Sequence, residues 1–107
     1  MENAEQVIID RFMVPKAAMP EFRNRIKVSM NIIGKQAGFV SDMAYEQIDG
    51  KDETTYITIV TWESREALEN SLSRVQAEYD RLSFDPAKTM ESLKIALDRG
   101  IYTKVKN

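Results

Sequence analysis

Hydrophobic residues recur along the chain at two different spacings, one typical of strands and one typical of helices, and these spacings predict its secondary structure. Dense β-branched and apolar residues predict strands at residues 7–14, 39–48, 54–62 and 101–105. Apolar residues that recur at steps of three and four predict helices at about residues 20–36 and 64–82, and a shorter helix before the last strand. The predicted order of elements is therefore β-α-β-β-α-α-β.

Residues with capping preferences mark where the predicted helices begin. Pro20 followed by Glu21 is typical of a first helical turn, and Ser64 suits the N-cap of the second helix. The pair Asp85-Pro86 predicts the start of the third helix. We expect that helix to end at Gly100. Its apolar side should consist of Met90, Leu93 and Leu97.

This order of elements is that of the split β-α-β, ferredoxin-like plan, an α+β fold with an antiparallel sheet and helices on one face. No repeat, low-complexity run or long linker divides the chain. We therefore expect a single domain over residues 1–107, with an ordered core at about residues 7–105.

The first strand is mostly apolar on both of its faces, which are Val7, Ile9, Arg11, Met13 and Ile8, Asp10, Phe12, Val14. A strand of this kind is usually covered on both sides, whereas one helical layer covers only one. The sequence therefore predicts a homodimer in which two sheets pack face to face. The same alternation predicts that Phe39, Met43 and Tyr45 share one face of the second strand.

The composition removes several kinds of chemistry, because the chain has no Cys and no His. There can be no disulfide, thiolate nucleophile, imidazole base or histidine-ligated haem. A metal site would have to be built from carboxylates, which suit Mg²⁺ or Ca²⁺. The acidic cluster Asp49, Asp52 and Glu53 lacks the spacing of a calcium loop, so we interpret it as a solvated turn and expect no metal.

Charge and hydropathy bear on the partners and the location. The net charge of −2 gives no electrostatic reason to expect nucleic acid. No run of about 20 apolar residues is present, so no membrane span is expected. A cytoplasmic protein is the default expectation.

Several local patterns resemble one known family. The first strand reads VIIDRFMVP, Gly38-Phe39 opens the second strand, and the third ends at Trp62, followed by a helix that begins ESREAL. From about Val7 to Val105 the chain resembles the antibiotic biosynthesis monooxygenase (ABM) domain family. The resemblance implies a dimeric α/β barrel with a small pocket in each subunit, and some members that oxidise polycyclic phenols with O₂ and no prosthetic group.

The branches of this family differ in the residues they use. The haem-degrading branch uses an Asn in the first strand, then a Trp and a His in the helix after the third strand. The corresponding positions here are Asp10, about Ser71, and Asp80 or Arg81. Haem degradation would therefore need an iron ligand other than His, such as Tyr. The quinone-forming branch has a Trp at the end of the third strand, which Trp62 matches. The resemblance to this branch implies that the protein uses no cofactor.

Four residues are candidates for a catalytic role. Asp10 is an isolated acid in an apolar strand, where it could serve as a general base or could simply be paired with a nearby Arg. Trp62, Tyr45 and Tyr56 could form an aromatic wall and supply a phenolic donor, or could be core and interface residues. Arg11 is expected on the face opposite Asp10, where it could pair with an acid across a dimer interface or bind an anion.

Two functional hypotheses follow. The first is a cofactor-independent monooxygenase that acts on a small phenol or quinol, with a protein that holds the phenol, favours its anion and excludes water. The second is a non-catalytic dimeric module that binds a small aromatic or apolar ligand, or only mediates assembly.

Overall fold

A four-stranded antiparallel sheet is the centre of the structure, a computed structural model that describes residues 4–106. Its strands are β1 (Gln6–Pro15), β2 (Phe39–Glu46), β3 (Glu53–Trp62) and β4 (Ala96–Tyr102), in the spatial order β2-β3-β1-β4. The helices are α1 (Met19–Ile33), α2 (Arg65–Arg81) and α3 (Pro86–Ser92), with a 3₁₀ turn at Lys16–Ala18. The predicted α+β, ferredoxin-like order is confirmed.

The register of the strands decides which side chains face the helices. Asp10 of β1 pairs with Thr58 of β3 and with Arg99 of β4, and Phe12 pairs with Tyr56 and Leu97 in the next row. All these side chains lie on the helix face of the sheet. The structure measures only 17 Å in its thinnest dimension, which corresponds to one sheet and one helical layer.

Two hydrophobic clusters attach the helices to this face. One joins β1 to α1 and to the chain just before β4, and its buried members are Phe12, Val14, Met19, Phe22 and Ile95. The other joins β3 to α2 through Val60, Trp62 and Leu68, with Met30 and Ile33 of α1 packed against it. The two clusters therefore lie at opposite ends of the helix face, and space is left between them.

The opposite face of the sheet carries no helix within residues 4–106, and we call it the open face. Its side chains are largely apolar and include Val7, Ile9, Ile57, Ile59, Met43, Tyr45 and Tyr102. Tyr45 and Met43 are each about half exposed, and Arg11 pairs with Asp98 at 3.6 Å on the same face. The expectation that one helical layer leaves an apolar sheet face uncovered is met in the single chain.

A bulge changes one prediction about β2. The register shifts between Phe39 and Ser41, so one extra residue, Val40, lies in this strand. The extra residue inverts the alternation at the start of the strand. Phe39 therefore lies on the helix face, where its ring contacts Trp62 edge-on at 6.1 Å, and not on the same face as Tyr45.

The end of the chain also differs from the prediction. The third helix ends at Ser92 instead of continuing to Gly100, and β4 begins at Ala96 instead of residue 101. The helix ends in a paired-bond C-cap, in which the Ile95 amide donates to Met90 O and the Lys94 amide to Glu91 O. Lys94 takes the positive φ of 60° that such an end requires, a position where glycine is usual.

The predicted N-caps are confirmed at two helices. The Ser64 hydroxyl accepts a hydrogen bond from the Ala67 amide, and the Asp85 carboxylate accepts one from the Lys88 amide.

Gly38, with a φ of 88°, lets the start of β2 approach Ala67 of α2 closely. Within the described residues, no helix is long and apolar enough to cross a membrane.

Candidate active site

A cavity of about 440 Å³ lies between the helix face of the sheet and the three helices. Its volume falls in the range of roughly 300–1,000 Å³ that small-molecule sites occupy. Most of its walls are apolar and come from α1 and α2, among them Phe22, Ile26, Met30, Leu68 and Val75. Asp10 and Trp62, two of the four candidate residues, both line it.

An ion pair between a buried carboxylate and a half-exposed guanidinium forms the polar end of this cavity. Asp10 is only 7% exposed, and both of its carboxylate oxygens accept hydrogen bonds from Arg99. The Nε–Oδ1 and Nη2–Oδ2 distances are both 2.7 Å, so the pair is bidentate and charge-assisted. These hydrogen bonds raise the pKa of the Arg99 guanidinium further, although burial opposes them. The guanidinium therefore stays protonated.

Arg99 has donors left over after it pairs with Asp10. A guanidinium carries five N–H donors, of which Asp10 takes two. The Arg99 side chain is 56% exposed and lies at the rim of the cavity on the edge strand β4. It can thus offer a fixed positive charge and free N–H groups to an anionic ligand atom.

Two more side chains belong to the polar end. Thr58 is the neighbour of Asp10 on β3, so Thr58, Asp10 and Arg99 form one row across three strands on the cavity floor. Tyr79 of α2 lines the cavity from above, close enough that its charge when ionised also raises the pKa of Arg99. Its ring packs against Phe84 at 5.4 Å.

Trp62 lies at the other end of the cavity floor. It follows Thr58 by four residues on the same face of β3, which corresponds to about 13 Å along a strand. Trp62 is 3% exposed, and its neighbours Phe39, Leu68 and Val60 are apolar. The cavity therefore has an anion-binding rim and an apolar, aromatic interior.

The other two candidate residues lie elsewhere. Tyr45 is on the open face, where its hydroxyl contacts Met43 Sδ at 3.5 Å. Tyr56 is on the helix face, but it packs edge-on against Phe22 at 5.1 Å and does not line the cavity. Burial raises the pKa of the Tyr56 hydroxyl, with a further contribution from the charge of Glu46. The structure thus brings Asp10 and Trp62 together, and leaves Tyr45 and Tyr56 outside.

Sequence reasoning missed Arg99, because it placed this residue at the end of a helix. The signal was present in the alternation of residues 97–101, where Leu97, Arg99 and Ile101 form a strand-like repeat. Tyr79 packs against Phe84 and also lines the cavity.

The remaining charged groups of the cavity are already engaged. Arg25 of α1 lies over the Phe84 ring at 5.9 Å and 3.7 Å from Glu21, and Asp85 caps α3. Between residues 4 and 106, no three His, Cys, Asp or Glu side chains come together in a group that could hold a metal ion.

Comparison with known proteins gives one family and several solved structures of the same fold. The family model described as antibiotic biosynthesis monooxygenase matches residues 6–78, which is more than half of the chain. No curated protein matches the sequence.

Solved structures match over nearly the full chain. One is SnoaB from Streptomyces nogalater, described as a cofactor-independent oxygenase, with 21% identity and a TM-score of 0.69 over 97% of this chain and 96% of that chain. Another is Rv0793 from Mycobacterium tuberculosis, with 21% identity and a TM-score of 0.71 over 97% and 98%. A dimeric ferredoxin-like protein from an uncultured marine organism has 6% identity and a TM-score of 0.73 over 97% and 98%. At these identities the likeness concerns the fold.

Proposed function

Because this chain belongs to the antibiotic biosynthesis monooxygenase family, we propose that it is a cofactor-independent oxygenase of a small aromatic substrate, a phenol or a quinol. One observation carries the proposal: a single cavity joins an aromatic, apolar interior at Trp62 to an ion-paired arginine at its rim. The description of SnoaB as a cofactor-independent oxygenase supports the same activity for this fold.

Three cavity residues and the apolar walls have roles in this chemistry. Arg99 receives the phenolate oxygen and stabilises its charge, while Asp10 fixes the orientation of the guanidinium. Trp62 and the apolar walls hold the rings of the substrate and exclude water from them. Catalysis then depends on holding an electron-rich anion beside O₂ in a dry site.

The reaction balances without a further reductant. The phenolate gives one electron to O₂, and the two radicals combine to form a carbon–oxygen bond at a ring carbon that carries a hydrogen, which is para to the oxygen in a phenol and ortho to it in a quinol. The peroxide takes a proton and then loses water, which breaks the O–O bond and removes the ring hydrogen. One phenol and one O₂ thus give one quinone and one water.

Oxygen consumption tests the proposal directly. The protein is incubated with 1-naphthol and 1,4-dihydroxynaphthalene, and O₂ uptake and quinone absorbance are compared with buffer alone. We expect uptake that falls strongly in Arg99→Met and Trp62→Ala, and that persists in Arg23→Met, which removes a bidentate arginine outside the cavity. Uptake equal to that of buffer across a wider panel of phenols would refute the oxygenase.

The cavity also bears on the alternative of a non-catalytic module. An assembly module has no need of a cavity of about 440 Å³ with a charged rim, so the geometry favours ligand binding over assembly alone. A module that only binds would retain a small aromatic ligand in native mass spectrometry and show no O₂ uptake. The two assays together therefore separate an enzyme from a carrier.

We further propose that two copies pack their open faces together as a homodimer. The support is the apolar character of this face and the description of one similar structure as dimeric. Ile59 lies near its centre, between Ile9 and Met43. We expect Ile59→Lys to give a folded monomer by light scattering and circular dichroism. A wild-type protein that is monomeric at all concentrations would contradict the dimer.

A further inference from the structure

The charged and titratable groups that face the cavity can be assigned element by element. They are Asp10 on β1, Arg99 on β4, Arg25 on α1, Tyr79 on α2 and Asp85 at the start of α3. The wall residues from β3 are Thr58, Val60 and Trp62, none of which titrates near neutral pH. Because the chain has no His, the two carboxylates are the cavity-lining side chains that could take a proton from a substrate hydroxyl near neutral pH.

Asp10, the carboxylate beside Arg99, is not placed to accept that proton. Both oxygens of Asp10 already accept hydrogen bonds from Arg99 at 2.7 Å. Protonation of Asp10 would break one of these bonds and remove the counter-charge of Arg99. Asp85 is exposed at the rim, where one of its oxygens caps α3 by accepting the Lys88 amide at 3.0 Å.

The same geometry is well suited to receive a charge that is already formed. Asp10 fixes one edge of the guanidinium, so the remaining N–H donors of Arg99 point away from that carboxylate and have a defined orientation. The rim at Arg99 is open to solvent, so an anion can reach it without crossing the apolar interior. The rings of the ligand would then lie along the floor toward Trp62.

From this we infer that no side chain of the cavity acts as the base, and that the substrate is bound as the anion of an acidified phenol whose oxygen binds Arg99. The substrate class is thus a phenol or enol that carries an electron-withdrawing carbonyl or similar group on its ring. Asp10 is a positioning residue that acts through Arg99, and not the base. The inference rests on the proposed function for its relevance to turnover, but it concerns binding and can be tested without O₂ chemistry.

Isothermal titration calorimetry with two matched phenols tests it. The probes are 4-nitrophenol, whose nitro group lowers the pKa of the hydroxyl toward neutrality, and 4-methylphenol, whose hydroxyl pKa is about 10, as in a tyrosine. We expect the affinity for 4-nitrophenol to rise with pH along the ionisation of the phenol itself, and then to level off. At neutral pH 4-methylphenol should bind about ten- to a hundredfold more weakly.

Variants separate a positioning role of Asp10 from a basic one. Asp10→Asn should weaken 4-nitrophenol binding but leave the midpoint of its pH profile unchanged, because the ligand supplies that midpoint. Arg99→Met should abolish the preference for the anion, and Arg99→Lys should restore part of it. Arg23→Met removes a positive charge that lies outside the cavity and should keep the preference.

Several results would overturn the inference. Equal affinity for both phenols at neutral pH would do so, as would equal affinity for 4-nitroanisole, which has the same shape and no ionisable hydroxyl. A midpoint that moves in Asp10→Asn would identify Asp10 as the base. If Arg99→Met does not fold, the wild-type pH profiles still decide. Absent O₂ uptake with intact anion binding would refute the oxygenase alone.

Discussion

Removal of Arg99 should destabilise the protein, because it leaves the carboxylate of Asp10 buried without a partner. The change is Arg99→Met, which keeps the aliphatic stem of the side chain and removes the guanidinium. The wild type has two charge-assisted hydrogen bonds of 2.7 Å to a carboxylate that is 7% exposed. Loss of one partner of a fully buried pair costs about 3–5 kcal/mol, whereas an exposed pair contributes about 0–1 kcal/mol.

The pair lies between these limits, since Asp10 is buried but the Arg99 side chain is 56% exposed. Water can therefore reach the vacated side of the carboxylate. We expect a loss of about 2–3 kcal/mol in the free energy of unfolding at neutral pH, by the magnitudes for pairs of this type. For a domain of this size, that corresponds to a fall of about 10–15 °C in Tm.

Urea unfolding of four proteins, followed by circular dichroism at one protein concentration, measures the effect. They are the wild type, Asp10→Asn, Arg99→Met and the double variant, and the coupling between the two sites should be about 2 kcal/mol. Arg23→Met is the matched control, because Arg23 also forms a bidentate pair, with Glu46, but in an exposed position. A coupling below about 0.5 kcal/mol, or an equal effect at Arg23, would refute the reasoning.

Three further predictions concern single contacts. Gly38→Ala should cost at least about 1–2 kcal/mol in urea unfolding, because a Cβ at φ 88° is strained and would collide with Ala67; an unchanged midpoint would contradict this. Asp85→Ala should cost about 1 kcal/mol by loss of the α3 N-cap, with Asp85→Asn as the near-neutral control. In an alkaline absorbance titration, Tyr56→Phe should remove a tyrosine that ionises at higher pH than the others, since burial raises the pKa of Tyr56. If the variant instead lacks a tyrosine that ionises at the ordinary pH, that result would be evidence against the burial.

The sequence predicted most of the sheet because strand alternation depends on neighbouring residues alone. The run from Thr54 to Trp62 has few alternatives to a strand, and the register then brings Thr58 beside Asp10. The N-caps at Ser64 and Asp85 were equally local. The element order, and Asp10 as an isolated acid in an apolar strand, could therefore be derived from the pattern of residues.

The other features depend on contacts that a local pattern does not contain. A bulge at Val40 has no sequence signature, so the face of Phe39 was wrong. The end of α3 is closed by Lys94 in a conformation usually taken by glycine, so the helix was expected to continue and Arg99 was misplaced. The partner of Asp10 lies 89 residues away along the chain and could only be found in three dimensions.

The two ion pairs between β1 and β4 also specify how these strands align. Asp10 lies opposite Arg99, and the next residue, Arg11, lies opposite Asp98. In the first pair β1 supplies the negative charge, and in the second pair β1 supplies the positive charge. A slip of one residue in one direction would oppose Asp10 to Asp98, and a slip in the other would oppose Arg11 to Arg99. Each misalignment thus brings like charges together and turns the apolar side chains to the wrong face. When β4 joins the sheet during folding, it therefore has a single favourable alignment on β1.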